Sequence, residues 1–192
     1  RGLGDVYKRQ GKFPKNERIL DGLMQLYTSE EGVGDPADLV TLIDSAIADN
    51  PENVDLWFGR GRIFYALKNY DESIASFKKV VELKPDLFEG NYYLGVFYTI
   101  KADEMNKVMN EKQYSSQTAY DTDLKEVNAV YMDAVPWFEK AYELKKDDVN
   151  TLDFLKSICF RLRDEEGMMD KYNKYNTLLK EAKGEELSLI HI

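Results

Sequence analysis

The chain has 192 residues, with 26 Lys+Arg against 35 Asp+Glu and a net charge of −9, and is long enough for one domain with a sizeable core. Such acidity repels phosphate backbones and argues against general nucleic-acid binding. No run approaches the ~18 consecutive apolar residues of a membrane span, and one Cys permits no intrachain disulfide while fitting either redox compartment.

The two ends differ from everything between them. The chain opens on RGLGDVYKRQ and closes on LSLIHI, which carries the lone histidine, His191. Back-translated as GAT GTG TAT AAG AGA CAG, residues 5–10 have the reverse complement CTG TCT CTT ATA CAC ATC. That encodes Leu-Ser-Leu-Ile-His-Ile, residues 187–192. The inverted repeat resembles the mosaic-end adapter of transposase-based sequencing libraries. Residues 1–10 and 187–192 are therefore expected to be adapter-derived scars flanking a metagenomic-type gene fragment, and they are set aside from fold reasoning. On that reading Arg1, Lys8, Arg9 and Asp5 leave the inventory, deepening the net charge from −9 to −11, and His191 leaves with them.

Within 11–186, apolar residues recur at helical spacing between Pro and Gly breaks. The pattern predicts eight helices, near 15–28, 37–49, 53–67, 70–83, 87–112, 121–145, 149–162 and 166–183. The second carries Leu39, Leu42/Ile43 and Ala46/Ile47, the fourth Ile74, Phe77 and Val80/Val81, and the seventh Leu152, Leu155 and Ile158/Cys159. Asp35 before Pro36, Asp86 and Asp148 read as helix-start caps, and Pro51 and Pro85 as stops. Short connections predict antiparallel neighbours.

Gly61 and Gly95 lie 34 residues apart. Trp57-x2-Arg60-Gly61-x2-Phe64 is followed by Ser73-x3-Phe77 and Pro85, and the next unit begins Asn91-x2-Leu94-Gly95-x2-Tyr98. This resembles the tetratricopeptide repeat, with its 34-residue period and its Trp-Leu-Gly-Tyr, Ala-Phe, Pro pattern. Arg60 stands for Leu, Phe64 for Tyr and Ser73 for Ala. Gly inside a helix costs about 1 kcal/mol against Ala, so Gly61 and Ser73 are expected to let a hairpin close, with Phe64 and Phe77 filling the space between hairpins. The second unit continues with Ala134-x3-Phe138-x2-Ala141, which stands 27 residues beyond the period. The added residues, about 101–130, predict two lengthened helices joined at a tip near YSSQTAY, with Pro136 kinking or restarting the returning helix. The resemblance implies an all-α fold: antiparallel helical hairpins stacked as a right-handed solenoid, in units of about 15–51, 54–87, 88–147 and 149–183, the last a capping unit. The run AVPWFEKAYELKKDDVNTLDFLKSICFRL also resembles tetratricopeptide proteins common in Bacteroidota, which implies a periplasmic or envelope location.

No stretch indicates catalysis, a cofactor or a metal. Cys159 lies on an apolar helix stripe, which predicts core packing. GRGR (59–62) lacks the GxxxxGK[ST] phosphate-loop pattern, and DTDLKE (121–126) lacks the Gly and terminal Glu of a calcium loop and reads as a helix-start cap. The resemblance implies a non-catalytic scaffold that takes a protein or peptide on a concave face lined by first helices. The repeat pattern places Asp55, Phe58, Arg62, Tyr65, Glu89, Tyr92, Val96, Asp153, Ser157 and Arg161 there, the aromatics being equally suited to packing. Some members clamp a terminal carboxylate with Lys and Asn, but those positions hold Phe58, Gly59 and Arg62, which argues against that mode. The alternative is a structural component of an envelope assembly, contacting partners through the 101–130 hairpin.

Overall fold

The computed structural model describes residues 36–184. Among the described residues are seven helices and no strand: α1 (Pro36–Asp49), α2 (Val54–Ala66), α3 (Tyr70–Leu83), α4 (Phe88–Glu111), α5 (Gln117–Leu144), α6 (Val149–Arg161) and α7 (Met168–Ala182). The helix expected near 15–28, the Asp35 cap and both terminal segments lie outside the described residues. The chain divides after Pro85 into two compact units, with α1–α3 in the first and α4–α7 in the second.

Polar side chains start most of these helices by occupying backbone donors that have no partner within the helix. Asn53 accepts from the Asp55 N–H, Asn69 from Glu72, Ser116 from Ala119 and Asp148 from Thr151. Two expected caps are corrected. Asp86 is displaced by one residue: Leu87 occupies the cap position without a side-chain bond, and Asp86 instead pairs with Lys140 at 3.2 Å. Asp121 does not start a helix, because Ser116 starts α5 four residues before the expected beginning. Asp121 accepts from Gln117 one turn back, at 2.8 Å. The α2–α3 turn places Lys68 at φ 58, and the Asn69 N–H then reaches the Phe64 carbonyl at 2.9 Å, satisfying an end group of α2.

The α2–α3 hairpin closes on bare backbone. An added Cβ at Gly61 would lie 2.4 Å from two ring carbons of Phe77, which is fully buried. The Ser73 hydroxyl donates to the Gly61 carbonyl at 2.8 Å, so the hydroxyl that departs from the Ala pattern is satisfied where it is buried. The expectation that Phe77 fills space between hairpins is thus corrected. Gly61 leaves a ring-sized slot within the hairpin, and Phe77 occupies it.

In the second unit Phe138 takes the same place over Gly95, with an added Cβ 2.8 Å from its ring, and Ala134 is fully buried at the small position. Ala134 has no hydroxyl to offer. The Gly95 carbonyl accepts instead from Thr99, one turn along its own helix, at 2.9 Å.

Each unit has its own core. Leu39, Ile43 and Ile47 of α1 meet Leu56 and Ile63 of α2 in the first. In the second, α4–α7 contribute Ala102, Tyr131, Phe138, Leu152, Leu155, Cys159 and Leu179 among others. Buried Tyr175 of α7 donates to Glu139 of α5 at 2.7 Å, and Lys171 reaches the same carboxylate at 2.9 Å. Leu94 and Ala141 are fully buried, Trp57 and Tyr98 are half-buried, and Pro85 is exposed after α3 ends. Pro136 does not restart the returning helix, since α5 runs unbroken from Gln117 to Leu144. The missing N–H costs α5 one internal bond, while packing of its neighbours Val135 and Phe138 holds it in place.

The Gly61 seam gives a direct test. In an open helix Gly→Ala gains about 1 kcal/mol. Here the added methyl collides with an enclosed ring, at a cost of about 1–3 kcal/mol. Gly61→Ala should therefore lower stability, seen as a reduced urea midpoint at constant slope, and Phe77→Leu in that background should recover part of the loss.

Candidate partner-binding site

The expected groove residues divide between the two units. In the first, Phe58 is half-buried and meets Phe77 edge-on at 4.8 Å, so it packs the hairpin. Asp55 is exposed in the first turn of α2, Arg62 is half-buried, and Tyr65 is 42% exposed and tilted against Tyr70 at 6.4 Å. The strongest polar arrangement there surrounds a residue that sequence reasoning placed among the packing substitutions. Arg60 reaches Asp44 on α1 at 2.8 Å, Glu72 on α3 at 2.9 Å and the Ser76 hydroxyl at 2.7 Å. Its guanidinium lies 4.4 Å from the Phe64 ring centroid. This ties three helices together and engages one donor on each of the three guanidinium nitrogens of Arg60. The departure from Leu in the repeat pattern was its only signal.

In the second unit Tyr92 is half-buried at the centre of an aromatic group, with Phe88, Tyr93, Phe138 and Phe154 at centroid distances of 5.5–6.0 Å. Phe138 and Phe154 stack at 4.8 Å. Burial, and then the Asp148 carboxylate, push the Tyr92 phenol above its ordinary pKa. Tyr92 therefore serves mainly as packing that joins α4, α5 and α6. Val96 is partly buried against the same core, and Glu89 is exposed near the start of α4.

Asp153, Ser157 and Arg161 stand on one face of α6, at the four-residue spacing that stacks side chains on a helix. They line a cavity of about 380 Å³ together with Phe154, and with Asp103 and Tyr131 from the lengthened hairpin. Tyr131 and Asp103 were not among the expected site residues. Asp103 stands in the added length of α4, and Tyr131 on α5 follows directly after the inserted stretch. The buried Tyr131 hydroxyl donates to Asp103, and burial, followed by that bond, raises its pKa.

The Arg161 guanidinium lies 4.4 Å from the Tyr131 ring centroid, and its Nη2 donates to Asn106 of α4 at 2.8 Å. Its Nε–H is buried and has no acceptor among the described residues. A buried donor without a partner costs about 1–3 kcal/mol, and more when it belongs to a charged group. Among the described residues Asp153 pairs only with Lys156, three residues along the same helix, at 3.4 Å. That is an exposed pair of the kind worth little.

Beyond this cavity, the hairpin is braced at its tip. Asp123 accepts from Lys112 at 2.6 Å and from Tyr114 at 2.8 Å, and these two bonds hold its carboxyl below the ordinary pKa. Among the described residues no group of three His, Cys, Asp or Glu side chains could hold a metal ion. Among the same residues, no helix is long and apolar enough to cross a membrane.

A family model described as "Tetratricopeptide repeat" matches residues 28–87. The chain thus carries a tetratricopeptide repeat spanning α1–α3. No curated protein matches it by sequence. Among solved structures it is similar to "MamA MSR-1 C2", at 17% identity and a TM-score of 0.51, over 92% of this chain and 86% of that one. It is also similar to PilW, described as a widely conserved type IV pilus biogenesis factor, at 16% identity and a TM-score of 0.34, over 90% of this chain and 80% of that one. A thermophilic tetratricopeptide protein of Thermus thermophilus follows at 14% identity and a TM-score of 0.33, over 88% of this chain and 94% of that one. The MamA likeness is one of fold. Together with the family match over α1–α3 and the two Gly-aromatic seams, it supports an all-α fold of antiparallel helical hairpins of the tetratricopeptide type.

Cys159 is fully buried between α6 and its neighbours, and burial pushes its thiol up to about 11. A raised pKa keeps the sulfur protonated below that pH, and thiolate is the reactive form. At pH 8 the native protein should therefore react with a disulfide reagent slower than the denatured protein by roughly two orders of magnitude or more, because reaction awaits opening of the core. Rapid labelling of the folded chain would show that Cys159 is reachable.

Proposed function

We propose that the chain is a non-catalytic scaffold that binds a protein or peptide segment on the first-helix face of its second unit. The observation that carries this reading is the cavity at Asp153, Ser157 and Arg161, where the helical-repeat face meets the lengthened hairpin. It joins an apolar wall, a half-satisfied guanidinium and exposed carboxylates, the mixture of apolar surface and few oriented polar groups found in recognition sites. The fold supports a protein partner, since stacked helical hairpins present such faces. The same reading makes Asp55, Arg62 and Tyr65 a separate face of the first unit.

The test is to select peptides on the immobilised wild-type chain from a displayed random library, then measure them against Ser157→Trp. Ser157 is exposed, so a bulky side chain there fills the cavity without entering a core. Selected peptides should lose at least about tenfold in affinity, about 1.4 kcal/mol, while the urea midpoint stays within the small range of surface substitutions. Peptides that bind both chains equally would remove the cavity from the account.

A second reading makes the chain a structural component of an envelope assembly that docks through the hairpin tip. It is supported by Val108, 55% exposed on α4, and by the bracing of the tip through Asp123. The resemblance of the run AVPWFEKAYELKKDDVNTLDFLKSICFRL to tetratricopeptide proteins common in Bacteroidota supports a periplasmic or envelope location. Replacing residues 110–124 by a short Gly-Ser link would leave Asp103, Tyr131 and α6 in place. Loss of assembly in a native extract, with peptide binding kept, would favour this reading. Assembly that survives the deletion would end it.

A further inference from the structure

We propose that the cavity in the second unit selects a basic segment, seating a Lys or Arg side chain between Asp103 and Asp153 while a main-chain carbonyl of the same segment accepts from the Arg161 Nε–H. This rests on the groove reading above and adds the chemistry of the occupant. Three observations carry it. First, the cavity is lined by two carboxylates and one guanidinium, and both carboxylates belong to exposed residues. Asp103 accepts only the neutral Tyr131 hydroxyl and has no ion-pair partner among the described residues. Among the same residues the one partner of Asp153 is Lys156, at 3.4 Å. Second, the guanidinium is committed in two directions, to the Tyr131 face and to Asn106, which leaves the Nε–H as its buried unpaired donor. A single buried N–H calls for a carbonyl oxygen, which every peptide carries at each residue. Third, the whole chain has a net charge of −9, so its field draws a cationic segment toward it and repels an acidic one. An acidic side chain in the cavity would face two carboxylates against the one guanidinium of Arg161, whereas a purely apolar one would leave Asp103 without a counter-ion and Asp153 with Lys156 alone.

The test uses an array of capped nonapeptides, random except for a central Lys, Arg, Gln, Glu or Leu, probed with the intact chain. Central Lys and Arg should be retained at least about tenfold over Gln and Glu, with the margin shrinking as salt is raised. Asp103→Asn and Asp153→Asn should each reduce that margin several-fold and leave the Gln peptides unchanged. Arg161→Lys keeps the charge and removes the Nε donor, and it should weaken all central residues by a similar factor. Denaturation midpoints of the three variants show whether each is folded. A preference for central Glu or Leu, or a basic preference that survives both Asn variants, would overturn the inference while leaving the groove in place. Retention of no peptide by the wild-type chain would overturn both it and the groove reading.

Discussion

Everything in this molecule depends on two places where a helix offers bare backbone to an aromatic ring. At Gly61 and Gly95 the absence of a side chain lets the rings of Phe77 and Phe138 press against the backbone of the facing helix. Glycine weakens both helices locally. The ring that enters the slot buries far more apolar area than any side chain on the glycine could have done. The hairpins are closed by this exchange of local propensity for tertiary packing. The two seams are not copies: one glycine carbonyl is served across the hairpin by Ser73, the other along its own helix by Thr99.

The second unit adds length to that plan. Continuing α4 and α5 beyond the repeat brings side chains from a second helix alongside a face that ordinarily belongs to first helices alone. Tyr131 is the hinge of this change, because one side chain both stacks its ring under the Arg161 guanidinium and donates a hydrogen bond from its hydroxyl to Asp103. The cavity therefore belongs to the inserted segment as much as to the repeat. A chain with the same repeats and no insertion would lack Asp103 and Asn106 beside Arg161.

How much of this was legible in sequence varied with the range of the interaction. Helix positions and the small-large pairing of Gly61 with Ser73 followed from local periodicity, since each signal lies within one or two turns. Errors arose where neighbours compete at short range. Asp86 and Leu87 contend for one cap position, and Asp121 is outrun by Ser116. Pro136 failed to restart its helix because packing around Val135 and Phe138 outweighs one lost hydrogen bond. The site was legible on α6, where a four-residue spacing sufficed. It was not legible at Asp103 and Tyr131, which are separated by 28 residues and meet only once the long hairpin has formed. Arg60 was visible as a departure from Leu, yet its three partners lie on two other helices. Tyr92 was equally suited to groove or core, and its four aromatic neighbours assign it mainly to the core.

The braced tip also bears on how the second unit is assembled in time. Lys112 and Tyr114 meet Asp123 across a short link, separated by 11 and 9 residues, whereas the seam at Gly95 joins segments far apart in the chain. Closing a short loop costs less chain entropy than closing a long one. Pairing of α4 with α5 is therefore cheapest at the tip and can advance toward Phe138 by small increments, each bringing the next residues together. The insertion that lengthens the unit thus also supplies a local starting point for zipping it shut, which a bare pair of distant half-repeats would lack.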